Sequence, residues 1–507
     1  MQDASGLASL VGNRLAAGED MDRLLRRLKG NFALAWSGPG GNGAATDHVR
    51  SLPLVYAQSR DGITVSDDPW SIGVDTSALS FMSMAEYATA GFVSGKNTVF
   101  ADIDALQAGE RMTASADGPQ FARYYQFLCS YDAEEDMDVL CKQFDDVFMT
   151  ALERAVASAG NRQIVVPLSA GLDSRLIAAG LKRLGRENVL CFSYGLPEND
   201  DAVGAAYYAK EMGLPWRMIP YDPRQIRTLL DSERMVEFWK YSACGVSMPF
   251  LTDYPALDQM QREGMVDADA VFIPGQSGDF IVGTHLKYLF DPADNPGYDV
   301  TRAIVGKHYL MWENLMGRPR IEKAVIERIE ESLAGLGTET LAERAGAYEY
   351  WEWQERQCKH VINEARAFEF FGYDWRMPLW DPDVMDFWKR PTIEHKLGAY
   401  LYREYLATIN PAGVFSHERL GGPVRLPARD AAAQPAARVS HGPIKALLQW
   451  RSRFRKHKKI FNYTPSGFPQ AYGRLRYLFR ESHKRHDGSL LLKDFLNRIY
   501  AIEIDAL

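Results

Sequence analysis

An apolar, β-branched run, Ile164-Val165-Val166-Pro167, stops at the small polar loop Leu168-Ser169-Ala170-Gly171-Leu172-Asp173-Ser174, and a helical pattern begins at once with Arg175-Leu176-Ile177. A strand, a tight turn and a helix opening in that order direct backbone N–H groups and the positive helix end at whatever sits above the turn, which suits phosphate. Ser169 and Ser174 add hydroxyl groups, and Asp173 makes sense there if a divalent cation bridges it to the phosphates. The plain alternative for this stretch alone is a strand–helix turn with serine and aspartate caps. It is not a Walker loop, because no Gly-Lys-Ser/Thr follows. A second loop, Gly275-Gln276-Ser277-Gly278-Asp279, follows the apolar run Val271–Pro274 and also ends in a carboxylate. Paired with Asp173, Asp279 could complete a magnesium site, two anions offsetting the charge of cation and phosphates.

These loops need a parallel sheet to bring them together. From Gln163 onward, expected strands at Ile164–Pro167, Val189–Tyr194, Arg217–Ile219 and Val271–Pro274 alternate with helical patterns, among them Leu176–Leu184 and Asp200–Met212. Such alternation argues α/β architecture with a sheet covered on both faces. Ligands in such folds sit beyond the carboxyl ends of the strands, where Ser169, Ser193 and Gly275 are all expected. Upstream, residues 1–28 show helical spacing. Gly30–Trp36, Leu52–Ala57 and Ile63–Ser66 read as strands, with a glycine-rich turn over Gly38–Gly43 and a hairpin turn at Asp61-Gly62. Residues 131–160 read as a helix joining the two regions. The aromatic tract Tyr348–Phe371 reads as a buried helix or helix pair, and Asp374 and Arg376, two apart in extended chain, should point the same way.

The chain has 507 residues, enough for two or three domains, and a net charge of −8, which disfavours a wholly nucleic-acid-binding protein. Five scattered cysteines without a CxxC pair argue against a zinc site or disulfide framework and fit a reducing cytoplasm. No basic-then-apolar signal and no long uncharged apolar run are expected to target or span a membrane.

Ser169-Ala170-Gly171-Leu172-Asp173-Ser174 resembles the SGGxDS loop of the ATP pyrophosphatase superfamily, with Ala170 in place of the first of two adjacent glycines. Alanine is tolerable there only at negative φ. Leu28–Leu34 and Leu52–Tyr56 resemble part of a class II glutamine amidotransferase domain. In that family the catalytic cysteine follows the initiator methionine, whereas here Gln2 does, so a glutaminase-dead remnant of an α+β Ntn-type sandwich is expected. Taken together, the two loops and the Asp374-x-Arg376-x-Pro378 segment resemble the synthetase domain of the asparagine synthetase family, whose relatives include β-lactam synthetases and lasso-peptide cyclases. The resemblance implies three units: an amidotransferase-like domain at 1–128, an ATP-dependent synthetase domain at 129–425 of adenine nucleotide α-hydrolase type, and a linker with a basic helical extension at 426–507.

The same resemblance implies that ATP is held by Leu168, Ser169, Gly171, Leu172, Asp173 and Ser174, with Tyr194 and Gly275 flanking the adenosine and Asp173 and Asp279 binding magnesium. Asp374 matches a glutamate that orients a catalytic tyrosine in β-lactam synthetases, and Gln276 stands where that tyrosine, or a glutamate of asparagine synthetases, would be. An amide cannot take a proton at neutral pH, so base duty would pass to Asp374 or to the substrate. Phe280 replaces a family glutamate; with Gln276 it argues against aspartate as substrate. Arg419 and Lys396 are candidates for the cation that neutralises leaving pyrophosphate. The expected activity is AMP-forming amide ligation of a small-molecule, sugar or peptide carboxylate in surface polysaccharide or natural-product synthesis. The nitrogen would come from ammonia, a partner enzyme or an amine on the substrate itself, the last giving a lactam or macrolactam cyclase. Oligomeric state is left open, a homo-oligomer included. The basic stretch from Arg451 to Arg485 could meet an anionic surface or a partner. Rival classes are an RNA-modifying ATP pyrophosphatase and a catalytically dead scaffold.

Overall fold

The computed structural model describes residues 4–38, 41–60, 62–115, 117–197, 199–415, 466–472, 489–504 and 507. Its centre is a five-stranded parallel sheet in the order Trp216–Pro220 (β10), Val189–Gly195 (β9), Ile164–Pro167 (β8), Val271–Phe272 (β11) and Asp374–Trp375 (β12). β8 is the middle strand, with Val165 opposite both Leu190 and Phe272. Its residues Ile164, Val165 and Val166 are fully buried, as expected for a strand covered on both faces. The order places the chain reversal between β9 and β11 beside β8, so the loops after β8 and β11 open at one crevice.

Seven strands precede these in two antiparallel sheets. One has the order Ala33–Gly38 (β1), Gly41–Thr46 (β2), Glu110–Ser115 (β6), Gly118–Arg123 (β7); the other has Gly62–Ser66 (β4), Val55–Ser59 (β3), Asp104–Ala105 (β5). The glycine-rich stretch expected as a turn is largely strand β2. Gly43 is needed there because a Cβ would fall 2.3 Å from Trp36 Cζ2 and 2.4 Å from the Met112 carbonyl, so the indole lies over its backbone. The N-terminal helical pattern divides into α1 (Ala4–Ala16) and α2 (Met21–Arg27), separated at Gly18 (φ 78°) and restarted by the Asp20 cap.

The helix expected over 131–160 is α3 (Met137–Ala159), which packs Phe144, Phe148 and Leu152 into the core. The helix after β8 is α4 (Leu172–Arg183), close against α3 because Gly180 leaves no room for a Cβ, which would sit 2.5 Å from Leu152. The helix after β9 is α5 (Asp200–Met212), with the bounds read from sequence. The aromatic tract is core, as expected: Trp351, Trp353 and Phe368 are fully buried. Its middle, Glu352–Val361, is wound as a π-helix, a form found at functional sites more often than chance. The last helix, Ser489–Tyr500, docks back on the body: Phe495 stacks on Tyr87 at 5.8 Å and meets Trp239 edge-on at 5.7 Å. Most of the stretch from 416 to 488, including Arg419, the 426–440 linker and the basic run Arg451–Arg485, lies outside the described residues. Among the described residues no helix is long and apolar enough to cross a membrane.

Candidate active site

The loop after β8 is closed by its own side chains. Ser174 Oγ accepts from the Ser169 amide at 3.0 Å and lies 3.1 Å from Ser169 Oγ, which in turn accepts from the Gly171 amide at 3.1 Å. Gly171 is the N-cap of α4 with φ −64° and makes no side-chain cap, so the first-turn amides are not covered by a capping group. Ala170 is absent from the left-handed residues, the condition under which alanine fits. Its methyl has a place because α5 carries Gly204 opposite: a Cβ on Gly204 would lie 2.6 Å from that of Ala170. Leu168 is buried, and its carbonyl accepts from Ser193 Oγ at 2.6 Å. Leu172 is the first, half-buried residue of the helix.

The second loop presses directly on the first. A Cβ on Gly275 would fall 2.3 Å from the Ser174 amide nitrogen, and one on Gly278 would fall 2.4 Å from the Asp173 carboxyl carbon. The glycines are what allow Asp173 and Asp279 to be neighbours. The Asp173 carboxyl accepts from the Tyr402 hydroxyl at 2.9 Å and from the Asp279 backbone amide. Burial, and then the Asp279 charge beside it, push Asp173 up to about 7. Asp279 would also be raised by burial, but His285 and Lys307 outweigh that and hold it low.

His285 bridges two acids. Its Nε2 faces Asp279 Oδ2 at 3.3 Å and its Nδ1 bonds Glu352. Glu352, at the start of the π-helix and fully buried, also takes Lys307 Nζ at 2.5 Å, His308 Nε2 at 2.6 Å and the Tyr348 hydroxyl at 2.9 Å. Burial would raise the Glu352 carboxyl, yet these cations hold it well below its usual range. One turn on, Gln357 Oε1 accepts from Ser277 Oγ at 2.9 Å, tying the π-helix to the loop. Gln276 bonds Glu364, and Thr252 Oγ1 donates to Glu364 Oε1 at 3.1 Å. Burial and the neighbouring Asp253 push Glu364 up to about 8. Asp253, raised by burial to about 6, bonds Tyr194, whose ring stacks on Tyr221 at 5.4 Å. One connected wall therefore runs from Tyr194 through Asp253, Glu364 and Gln276 to Asp279.

Two expectations change. Asp374 begins β12 opposite Val271, at the amino end of the sheet, where it pairs with Arg162 at 2.7 Å and Arg376 at 3.6 Å. Its side chain is 53% exposed, a surface ion pair at the opposite end from the loops; the acid touching Gln276 is Glu364. Lys396 is fully buried, its Nζ held by Glu349 at 2.9 Å and the Trp388 carbonyl at 3.0 Å, so it is an interior ion pair and cannot meet a pyrophosphate. Gly275, expected beside the adenosine, packs against the Asp173–Ser174 backbone, where a Cβ would not fit. Arg419 lies outside the described residues.

Three residues were missed. Arg175 bends back to the loop carbonyls of Ala170 (2.8 Å) and Gly171 (3.3 Å) while its guanidinium covers Tyr208 at 3.7 Å. Its position one residue past the loop was a usable signal. Tyr402 and Glu364 gave none locally, apart from an acid standing inside an aromatic tract.

With the loops, their glycine contact and the crevice described, comparison decides the family. The model of the asparagine synthase family matches residues 146–442, more than half of the chain. The protein belongs to the asparagine synthase family. The match spans all five parallel strands and both loops, and membership supports an ATP-using, amide-forming ligase. No curated protein matches this asparagine synthase family chain. Among solved structures, an NH3-dependent NAD synthetase from Campylobacter jejuni subsp. jejuni NCTC 11168, in complex with the nitrate ion, aligns at 17% identity over 41% of this chain and 99% of that one, with a TM-score of 0.18.

Proposed function

We propose that this chain is a magnesium-dependent, AMP-forming carbon–nitrogen ligase: it adenylates a substrate carboxylate with ATP, releases pyrophosphate, and lets ammonia or an amine displace AMP. The observation that carries this reading is the contact between the Asp173 and Asp279 loops at the carboxyl ends of a parallel sheet. The residues fit magnesium. Among the described residues no group of three or more His, Cys, Asp or Glu forms a metal cage, but magnesium commonly takes one or two carboxylates and completes its shell with phosphate oxygens and water. Asp173 and Asp279 would hold it, and it would offset charge on the leaving pyrophosphate.

This chain's own groups supply the rest. The α4 amino end, whose first-turn amides no side chain caps, would meet the phosphates, while the Ser169 and Gly171 amides hold the loop closed and Arg175 fixes the carbonyls of Ala170 and Gly171. Positioning the carboxylate in line with the α-phosphorus accounts for most of the expected rate. As the C–N bond forms and AMP leaves, Glu364 takes the amine proton only in its ionised form; with its carboxyl raised to about 8, the step should speed up as pH rises toward that value. All five cysteines are buried, and burial pushes their thiols up, Cys141 and Cys191 to about 12. None is poised as a thiolate, which supports a nitrogen supplied as ammonia, by a partner enzyme, or by the substrate itself. We assign the units 1–128, 129–425 and 426–507 as above, and a cytoplasmic setting on the strength of the free thiols.

The test is incubation with ATP, magnesium and pooled sugar, peptide and small-molecule acids, with and without ammonium, read by mass spectrometry. AMP should appear only with the right acid. Its product should carry nitrogen in place of hydroxyl, or be lighter by one water if the chain is a cyclase. Asp173→Ala should abolish both AMP release and the protection that magnesium–ATP gives against thermal unfolding. A variant that kept either would overturn the assignment.

A further inference from the structure

Arg50 lies outside the site described above, and the proposed chemistry does not use it. It follows β2, and its side chain is 0% exposed. Nε donates to the Leu106 carbonyl at 2.9 Å, while Nη1 and Nη2 have no protein partner. The backbone there is left-handed, with φ 54°, a conformation that disfavours so large a residue. Asp47, whose charge reaches Arg50, does not pair with it: Asp47 accepts from the Phe32, Val49 and Ser51 amides and the Ser51 hydroxyl. The charge of a second guanidinium reaches Arg50. Arg366 is 5% exposed; Nη1 pairs with Glu369 at 2.6 Å, its plane covers Tyr241 at 4.2 Å, and Nε has no partner. The two guanidinium groups feel each other's charge, and the buried Cys244 feels both.

Glu369 balances Arg366. Arg50 is left as a buried cation without a counter-charge among the described residues, and three nitrogens, its own Nη1 and Nη2 and Arg366 Nε, carry unused N–H groups. An isolated interior charge of this kind costs several kcal/mol, and buried donors that native proteins leave unpaired usually mark an ion or water not yet located. We infer that the unpartnered Nη1 and Nη2 groups of Arg50, together with Arg366 Nε, bind one small monovalent anion of chloride size. One charge needs balancing, so a monovalent ion suffices. Full enclosure favours a monatomic ion over phosphate.

Two measurements test this. In crystals of the full chain grown with sodium bromide, a bromide anomalous peak is expected in contact with Arg50 Nη1 and Nη2. In thermal unfolding at fixed ionic strength, replacing gluconate with chloride should raise the apparent Tm saturably, by about 2–4 °C. Arg50→Gly, which relieves the left-handed backbone, should abolish that dependence. A guanidinium contacted only by water or by a Cys244 thiolate, with no bromide peak, overturns the inference. So does an equal chloride response in wild type and Arg50→Gly. If the variant does not fold, the bromide map of the wild type still decides.

Discussion

Tyr402 reaches Asp173 across 229 positions of sequence, and its hydroxyl is the side-chain donor holding that carboxylate. Hydrogen bonds to charged groups are worth about 1.5–3 kcal/mol. Tyr402→Phe is therefore expected to weaken magnesium–ATP binding by about tenfold in calorimetric titration while leaving the fold intact. Lys396 and Asp374 give the opposite contrast. Lys396→Met strands Glu349 in the interior and should cost about 3–5 kcal/mol of stability in denaturant unfolding. Asp374→Ala removes a half-exposed surface pair and should change stability by no more than about 1 kcal/mol, with AMP formation near wild type. If Asp374→Ala instead abolished AMP formation without unfolding the protein, the placement of β12 would be wrong.

At the scale of elements, the site exists because two loops and one helix touch without side chains between them. Gly204 of α5 and Ala170 of the loop form a complementary pair, one lacking a Cβ where the other has gained one. Gly204→Ala should push the loop forward and weaken nucleotide binding. Adding Ala170→Gly should restore it, because the methyl that collides is then gone. Failure of the double variant to recover, with both variants folded, would show that Gly204 acts through α5 alone. The π-helix was not legible in the sequence. The aromatic spacing of 348–371 marks a buried helix, but the wider winding that sets Glu352 toward His285 and Gln357 toward Ser277 depends on partners far along the chain.

For the whole molecule, the buried acids make stability depend on pH. Asp253 and Glu364 have folded pKa values raised to about 6 and about 8. In the window between their ordinary carboxylate range and those values, the folded chain binds more protons than the unfolded one. Their contribution is fully present below the ordinary range and is lost as pH rises through about 6 and then about 8. Thermal unfolding of the ligand-free protein should thus fall in midpoint between pH 5 and 8, and Glu364→Gln should flatten the upper part of that slope. An unchanged slope in the variant would show that Glu364 is already ionised in the folded chain.

The sequence by itself determined the order and type of the elements around the crevice. β8, α4, β9 and α5 follow from β-branched runs and helical spacing, which are local, and the loop after β8 follows from the small polar residues that interrupt the two patterns. The two acidic loops were also readable, since each follows an apolar run, is made of small residues and carries a carboxylate near its end. The approach itself was not readable, nor was the choice of Glu364 over Asp374 beside Gln276. The two acids lie ten residues apart in the chain, but a strand's direction puts one at the amino end of the sheet and a buried helix puts the other beside Gln276. Lys396 likewise looks like any surface lysine until packing closes over it. Burial and strand polarity are properties of the assembled sheet, and they decide which charged groups can meet a ligand.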